Sequence, residues 1–307
     1  MKKVEVVNSI TFDSFQEVHY PRRIPLVLKG IDIGPCKEKW NLEYLSEIFG
    51  ETLVKVHVSP VAKMDFIKKN FQYKTLNFNE FLHRASSDKQ EKYFLSPEEK
   101  YYLRSLGDDP RKDIADIHKQ FPKLAEDFKI PNIFDEKSFF SSVFRISSSG
   151  VQLWTHYDIM DNILVHISGT KKVVLFPPSD ALNLYLVGDK SEVMDIENPD
   201  FNRFPKFKDV NYYEYILEPG DILFIPALWF HNVTALDFAV SVNVFWKHLP
   251  NEIYDQKDVY GNKDVVPAQR AMQGVEKALK SLSILPEDYR DFFARRLISK
   301  IESTLIS

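Results

Sequence analysis

The chain has 307 residues with 44% hydrophobic and 14% aromatic content, enough apolar surface to bury a substantial core in one large domain with an appendage. A formal net charge of −4 and a pI near 6.1 lack the basic balance usual in nucleic-acid-binding domains. The lone cysteine, Cys36, cannot close an internal disulfide, no apolar run has membrane length, and 17 Pro against 10 Gly with no repeat period argue against solenoids and propellers. With no apolar leader after Met1-Lys-Lys, the expectation is an intracellular protein with neither a membrane nor a DNA partner.

In chain order, Phe12-Asp-Ser-Phe-Gln-Glu begins a short helix, residues 24–29 read as an early strand and residues 42–48 as a second short helix. Val54-Lys-Val-His-Val58 alternates as a strand does, and residues 101–104 read the same way. Asp109-Pro110 marks a helix start, with Asp as N-cap, Pro in the first turn, and Ile114, Ile117 and Phe121 as the apolar stripe. From Phe139 to Trp246 short strands separated by Pro and Gly turns dominate, the pattern of a jelly-roll double sheet enclosing a pocket. Residues 162–177 read as a hairpin around Ser168-Gly169-Thr170. A Pro219-Gly-Asp turn then launches a short apolar strand that stops at Pro226. Residues 238–246 alternate Val240, Val242 and Val244 with Ala239, Ser241 and Asn243, a small and polar face suited to lining a pocket. Residues 268–282 form a helix and Pro286 opens another, with Tyr289, Phe292, Phe293, Leu297 and Ile301 on one side. The fold class expected is mainly β with helices (α+β). Residues 1–100 elaborate the core, 101–250 form it, and 251–307 make a helical hairpin.

Chemistry concentrates in Trp154-Thr-His-Tyr-Asp158 and Pro226-Ala-Leu-Trp-Phe-His231, which together offer two imidazoles and one carboxylate to a single metal. That donor set binds one face of an iron(II) octahedron and leaves three positions open. Eight His and 44 acidic residues yield roughly one His-x-Asp/Glu by chance, so the tripeptide carries little alone. Its surroundings carry more. Lys171, Val173 and Leu175 share one strand face, so an apolar surface ends in a cation able to hold a carboxylate, and His231 falls just beyond a strand end.

His156-Tyr-Asp158, Asn162, Lys171, the run from Pro219 to His231 and Asn243-Val-Phe-Trp246 resemble the JmjC-domain 2-oxoglutarate oxygenases. The likeness is to the small hydroxylase branch that includes the factor-inhibiting-HIF asparaginyl hydroxylase, and it spans roughly residues 10–305. Residues 100–112, 139–147 and 245–250 further resemble the tRNA hydroxylases of that branch. The resemblance implies a JmjC, cupin-like double-stranded β-helix with Fe(II) held by His156, Asp158 and His231. It implies 2-oxoglutarate chelating the metal through its C1 carboxylate and 2-oxo group, with O2 in the last position. Lys171 would clamp the C5 carboxylate, with Asn162 and the Tyr102 hydroxyl as neutral donors and Asn243 nearby; Tyr101 adjoins Tyr102 as the alternative. It further implies a homodimer through the C-terminal helices. The implied reaction is hydroxylation of the side chain of 7-(3-amino-3-carboxypropyl)wyosine beside the anticodon of tRNA(Phe), giving a hydroxywybutosine-type base.

A basic residue should meet that substrate's carboxylate, and the sequence does not single one out. Five Lys against one Asp between Lys55 and Lys74, and Arg104, Arg111, Lys112, Lys119 and Lys123, form patches able to track phosphates. A solvated helix face laced with Asp113 and Asp116 is the plainer reading of the second patch. The alternative function is a JmjC protein hydroxylase acting on an Asn or other side chain, favoured by the acidic pI. A non-catalytic binding module is disfavoured by the intact set of His156, Asp158, His231 and Lys171.

Overall fold

A computed structural model describes residues 2–305. The strands run β1 (Lys2–Lys3), β2 (Glu5–Asn8), β3 (Leu26–Lys29), β4 (Leu53–Ser59), β5 (Gln72–Asn77), β6 (Lys100–Arg104), β7 (Phe139–Ser147) and β8 (Asp161–Ser168). They continue through β9 (Lys171–Phe176), β10 (Leu186–Val187), β11 (Lys190–Ser191), β12 (Tyr213–Leu217), β13 (Ile222–Ile225), β14 (Phe230–Ala235) and β15 (Ala239–Trp246). A nine-stranded sheet has the order β2-β3-β13-β8-β15-β7-β6-β4-β5, and a four-stranded sheet the order β1-β12-β9-β14. The two pack as a jelly roll, an arrangement in which inward and outward residues alternate along every strand.

That alternation decides what each residue does. On the large sheet Tyr101, Leu103, Phe144, Ile146, Ile163, Val165, Val242 and Val244 face outward into the main core. Helices α1 (Leu42–Phe49) and α2 (Phe78–Ser86) cover that face with Leu45, Phe49, Phe78 and Phe81. Asn41 caps α1 by accepting from the Tyr44 N–H at 2.9 Å. On the opposite face Val27, Leu164, Leu223 and Ile225 meet Val173, Leu175 and Leu217 of the small sheet. Tyr102, Ser241 and Asn243 lie on this inner face, one residue out of phase with the main core, and Lys171 faces them from β9 in phase with Val173 and Leu175.

Two sequence expectations are corrected. β8 and β9 are not a hairpin: β8 pairs with β13 and β15, β9 with β12 and β14. Ser168-Gly169-Thr170 is instead a corner between sheets, with Gly169 at φ +80° where a Cβ would lie 2.2 Å from the Phe238 carbonyl oxygen. The Asp237 carboxylate holds the corner by accepting from Thr170 N–H at 2.6 Å. Both strands are apolar enough to be covered on two faces, so their sequence does not distinguish pairing with each other from pairing elsewhere. Likewise Asp109 starts no continuous helix. Its backbone N–H is taken by the Asp113 carboxylate at 2.8 Å, closing a single turn, and Asp116 is the N-cap of the helix Ile117–Gln120 through His118 N–H at 3.1 Å. Side-chain oxygens of Asp compete with the helical ladder there.

The chain divides into two compact units, Met1–His248 with Val259–Asn262, and Leu249–Asp258 with Lys263–Ser307. In the second, helices α3 (Val266–Leu282) and α4 (Glu287–Glu302) have no buried residue. Among the described residues no helix is long and apolar enough to cross a membrane.

Two buried histidines of the first unit are held neutral. Burial, offset by a bond to the Tyr102 carbonyl, lowers His57 to about 4, and burial followed by the charge of Lys171 lowers His166 to about 3. The unfolded chain therefore binds protons that the fold refuses once pH drops below the ordinary His value near 6.5. Stability is expected to fall from pH 6.5 towards 5, each ring contributing up to about 1.4 kcal/mol per pH unit. Urea unfolding at pH 7.5, 6 and 5 checks this, and equal stabilities at all three would contradict it.

Candidate metal centre and adjoining cavity

Three segments converge between the sheets. The stretch before β8 pairs with β14 through Leu153 N–H to Val233 O at 3.0 Å and through reciprocal bonds between His156 and His231 at 3.2 and 2.8 Å. Leu228, in the left-handed region at φ 71°, donates its N–H to the Asp158 carbonyl at 2.8 Å. These backbone ties bring one donor atom from each of His156, Asp158 and His231 within 4.8 Å of one another. The imidazole rings lie 4.3 Å apart, and His231 Nε2 is 3.5 Å from Asp158 Oδ2.

The donor chemistry fits a divalent transition metal. Nδ1 of His156 faces the Trp154 carbonyl at 3.0 Å and Nδ1 of His231 faces the Trp229 carbonyl at 3.1 Å. A carbonyl only accepts, so each Nδ1 carries the hydrogen and each Nε2 lone pair is left for a ligand. Burial keeps His156 well below its ordinary value and therefore neutral. Burial pushes the Asp158 carboxyl up, against the pull of His231, Arg145 and Arg104. A bound cation would oppose that rise.

A cavity lined by Leu164, Ile225, Val233, Arg145, Lys171 and Asn243 adjoins the triad. Lys171 is 3% exposed, and no described acid pairs with it; its Nζ donates to Ser241 Oγ at 2.7 Å. Burial, then the charge of Arg145, lowers it to about 7. Tyr102 lines the same space, its hydroxyl accepting from Arg145 Nη1, whereas Tyr101 turns to the opposite sheet face and donates to Glu99. Asn243 lines the cavity, but Asn162 does not. Asn162 stands behind it, donating to Asp158 Oδ2 at 3.4 Å and accepting from Asn243 Nδ2 at 3.1 Å. The two amides thus form a chain that ends on the Asp158 carboxylate.

Sequence reading missed Arg145, which shares its strand face with Ser147, and placed Arg104 beside a helix although it shares the face of Tyr102. Period-two alternation through Tyr102 and Arg104 is the signal that finds the latter. It also missed a clamp behind the metal site. The wholly buried Asp161 accepts from Tyr20 Oη at 2.6 Å, from Arg23 Nη1 at 2.9 Å and from Ala227 N–H at 2.8 Å, with a further bond from Arg23 Nη2. The Arg23 carbonyl in turn accepts from Trp229 Nε1 at 2.9 Å. The loop delivering His231 is therefore pinned at Ala227 and Trp229 to one buried ion pair.

Arg23→Ala is expected to leave Asp161 buried with only Tyr20, the Ala227 N–H and a more distant His248, costing about 2–4 kcal/mol. Loosening the Trp229 carbonyl that orients His231 should weaken divalent-metal binding by roughly 10–100-fold. Denaturant melts and a Co(II) titration followed by absorbance check both; unchanged cobalt affinity in the folded variant would detach the clamp from the metal site.

Comparison with known proteins accords with this geometry. A family model described as "Cupin-like domain" matches residues 13–252. The human protein named tRNA wybutosine-synthesizing protein 5 is 56% identical over 98% of this chain and 96% of its own length. The zebrafish (Danio rerio) protein of the same name is 57% identical over 98% and 92%. A Gibberella zeae protein named tRNA wybutosine-synthesizing protein 4 is 38% identical over 91% of this chain, which matches 27% of that longer protein. The chain belongs to the cupin-like domain family, together with the vertebrate proteins named tRNA wybutosine-synthesizing protein 5.

Proposed function

We propose that this protein is an Fe(II)- and 2-oxoglutarate-dependent tRNA hydroxylase, acting on the amino-carboxypropyl side chain of the wyosine base next to the anticodon of tRNA(Phe). The observation that carries the oxygenase reading is the triad of two tautomer-locked imidazoles and a carboxylate beside a cavity holding a buried lysine with no acid partner. The substrate reading is supported by the names of the relatives, which place those proteins in wybutosine synthesis. An intracellular setting follows from a tRNA substrate.

Iron(II) bound with 2-oxoglutarate and dioxygen supplies the power to convert an unactivated C–H to C–OH, releasing succinate and carbon dioxide. The chain's own part is placement. His156, Asp158 and His231 would hold the metal. The Lys171 ammonium, steadied by Ser241, meets the distal carboxylate of 2-oxoglutarate in a charge-assisted bond, and the Tyr102 hydroxyl adds a neutral partner. Asn243, braced by Asn162, offers its amide at the metal end of the cosubstrate. Leu164, Ile225 and Val233 keep the space between dry.

The C-terminal helices supply the second part of the reading, a homodimer through residues 251–307. Met272, Leu279, Ile284, Tyr289, Phe292, Ile298 and Ile301 are all exposed in the single chain, more apolar surface than a monomer ordinarily shows to water. Light scattering is expected to give twice the 35.9 kDa chain mass, and Phe292→Asp with Ile301→Asp to give the monomer. A wild-type monomer at tens of micromolar would refute the pairing.

Nucleoside mass spectrometry of tRNA(Phe) bearing the amino-carboxypropyl base, after incubation with protein, Fe(II), 2-oxoglutarate and ascorbate, should show a gain of one oxygen. Asp158→Ala should abolish it, while Lys171→Ala should mainly raise the KM for 2-oxoglutarate. No oxygen gain on this RNA together with peptide-dependent succinate release would select the protein-hydroxylase alternative. Because Lys171 in the free protein loses its proton above pH of about 7, carboxylate binding there must take up a proton. The affinity for 2-oxoglutarate should be flat below that pH and fall by up to about tenfold per unit above it. Calorimetry in two buffers of different ionisation enthalpy checks the proton uptake.

A further inference from the structure

Across the β6–β7 ladder Arg104 stands directly opposite Arg145. Like charges in facing positions repel, so a sheet does not place them there without a counter-charge. Neither arginine forms an ion pair among the described residues, although Asp158 and Asp189 border the same cavity and other half-buried arginines are paired, as Arg23 is with Asp161 and Arg84 with Glu80. Arg145 gives one bond to the Tyr102 hydroxyl, and its buried Nε has no partner. The Arg104 guanidinium lies 5.3 Å from the centroid of the Tyr260 ring.

Both arginines border a second cavity of about 370 Å³ that opens beside His156 and Asp158. Its wall is aromatic. Tyr73 is 50% exposed and Tyr260 41% exposed, both on this cavity, with Trp154 deeper at the metal end. Lys55 sits 4.7 Å over the Tyr73 ring, as Arg104 does over Tyr260. Planar faces at the mouth and unpaired guanidinium donors farther in make a receptor for a flat aromatic group carrying an anionic tail. Arg recognises a planar carboxylate by two parallel bonds, and exposed tyrosines stack bases.

We propose that this cavity is the base-binding subsite: Tyr73 and Tyr260 stack the tricyclic base, and Arg104 and Arg145 together hold the carboxylate of its amino-carboxypropyl side chain. The inference rests on the tRNA reading above and adds which residues read the substrate. The arginine pair distinguishes a base bearing the carboxylate from one without it, and holds the adjacent side-chain carbons at the His156–Asp158 end of the cavity.

The test uses the full chain and two tRNA(Phe) preparations, one with the tricyclic base carrying the amino-carboxypropyl group and one with the same base lacking it. Anisotropy binding by the wild type should favour the first by about 10–100-fold, the range of a charge-assisted bond. Methyl-esterifying the carboxylate should erase that preference with no change in the protein, so the result does not hinge on a variant folding. Arg104→Gln and Arg145→Gln should each reduce the preference to within about threefold, with affinity for the second tRNA and its salt slope unchanged. Equal weakening on both tRNAs with a shallower salt slope would identify phosphate contacts and overturn the carboxylate assignment. Tyr260→Ala should weaken both tRNAs alike, and an unchanged affinity would remove it from the subsite. Oxygen gain by the wild type without a preference between esterified and free carboxylate overturns this inference alone, whereas no oxygen gain on either tRNA brings down the hydroxylase reading and this one with it.

Discussion

A carboxylate with no exposure to water must be surrounded by donors or it destabilises the fold, and Asp161 meets that demand by collecting Tyr20, Arg23 and the Ala227 N–H. The consequence reaches beyond one ion pair. Tyr20 and Arg23 belong to the N-terminal segment, Asp161 begins β8, and Ala227 lies in the loop between β13 and β14. Tying the three together places Asp158 and His231, which lie three residues before Asp161 and four after Ala227. The candidate metal ligands thus inherit their positions from a buried charge that bonds to none of them.

The second organising feature is an imbalance of charge between the sheets. The whole chain is acidic, yet its two cavities gather Lys171, Arg145, Arg104, Lys55 and Lys190 against Asp158 and Asp189. Buried cations without counter-ions cost stability, and Lys171 registers that cost in its lowered proton affinity. A site that keeps such groups is preorganised for anions, which is the basis of the proposals for a dicarboxylate in the inner cavity and an anionic substrate group in the outer one. Arg145 borders both cavities and couples them electrostatically, since its charge also depresses Lys171.

The relatives give this interior a setting. Identity near 56% runs along almost the full chain in the human protein, whereas the Gibberella zeae relative carries a matching region as about a quarter of a much longer chain. The matching region thus makes up nearly all of the human protein and about a quarter of the longer fungal one.

Residue types and spacing were enough to single out His156, Asp158, His231 and Lys171, because metal ligation and anion binding demand particular side chains at strand ends. They also marked the small, polar face of β15 and helices α1, α3 and α4, because period-two and period-3.6 patterns are local, but not α2. What the sequence did not determine is which strands pair. β8 and β9 are apolar on both faces, and only packing against β13, β15, β12 and β14 sends them to different sheets. The same limit hid the opposition of Arg104 to Arg145, the position of Asn162 behind Asp158 rather than in the cavity, and the Asp161 clamp. Each of these joins residues far apart in the chain, or depends on which side of a sheet a register presents, and only the tertiary structure decides that.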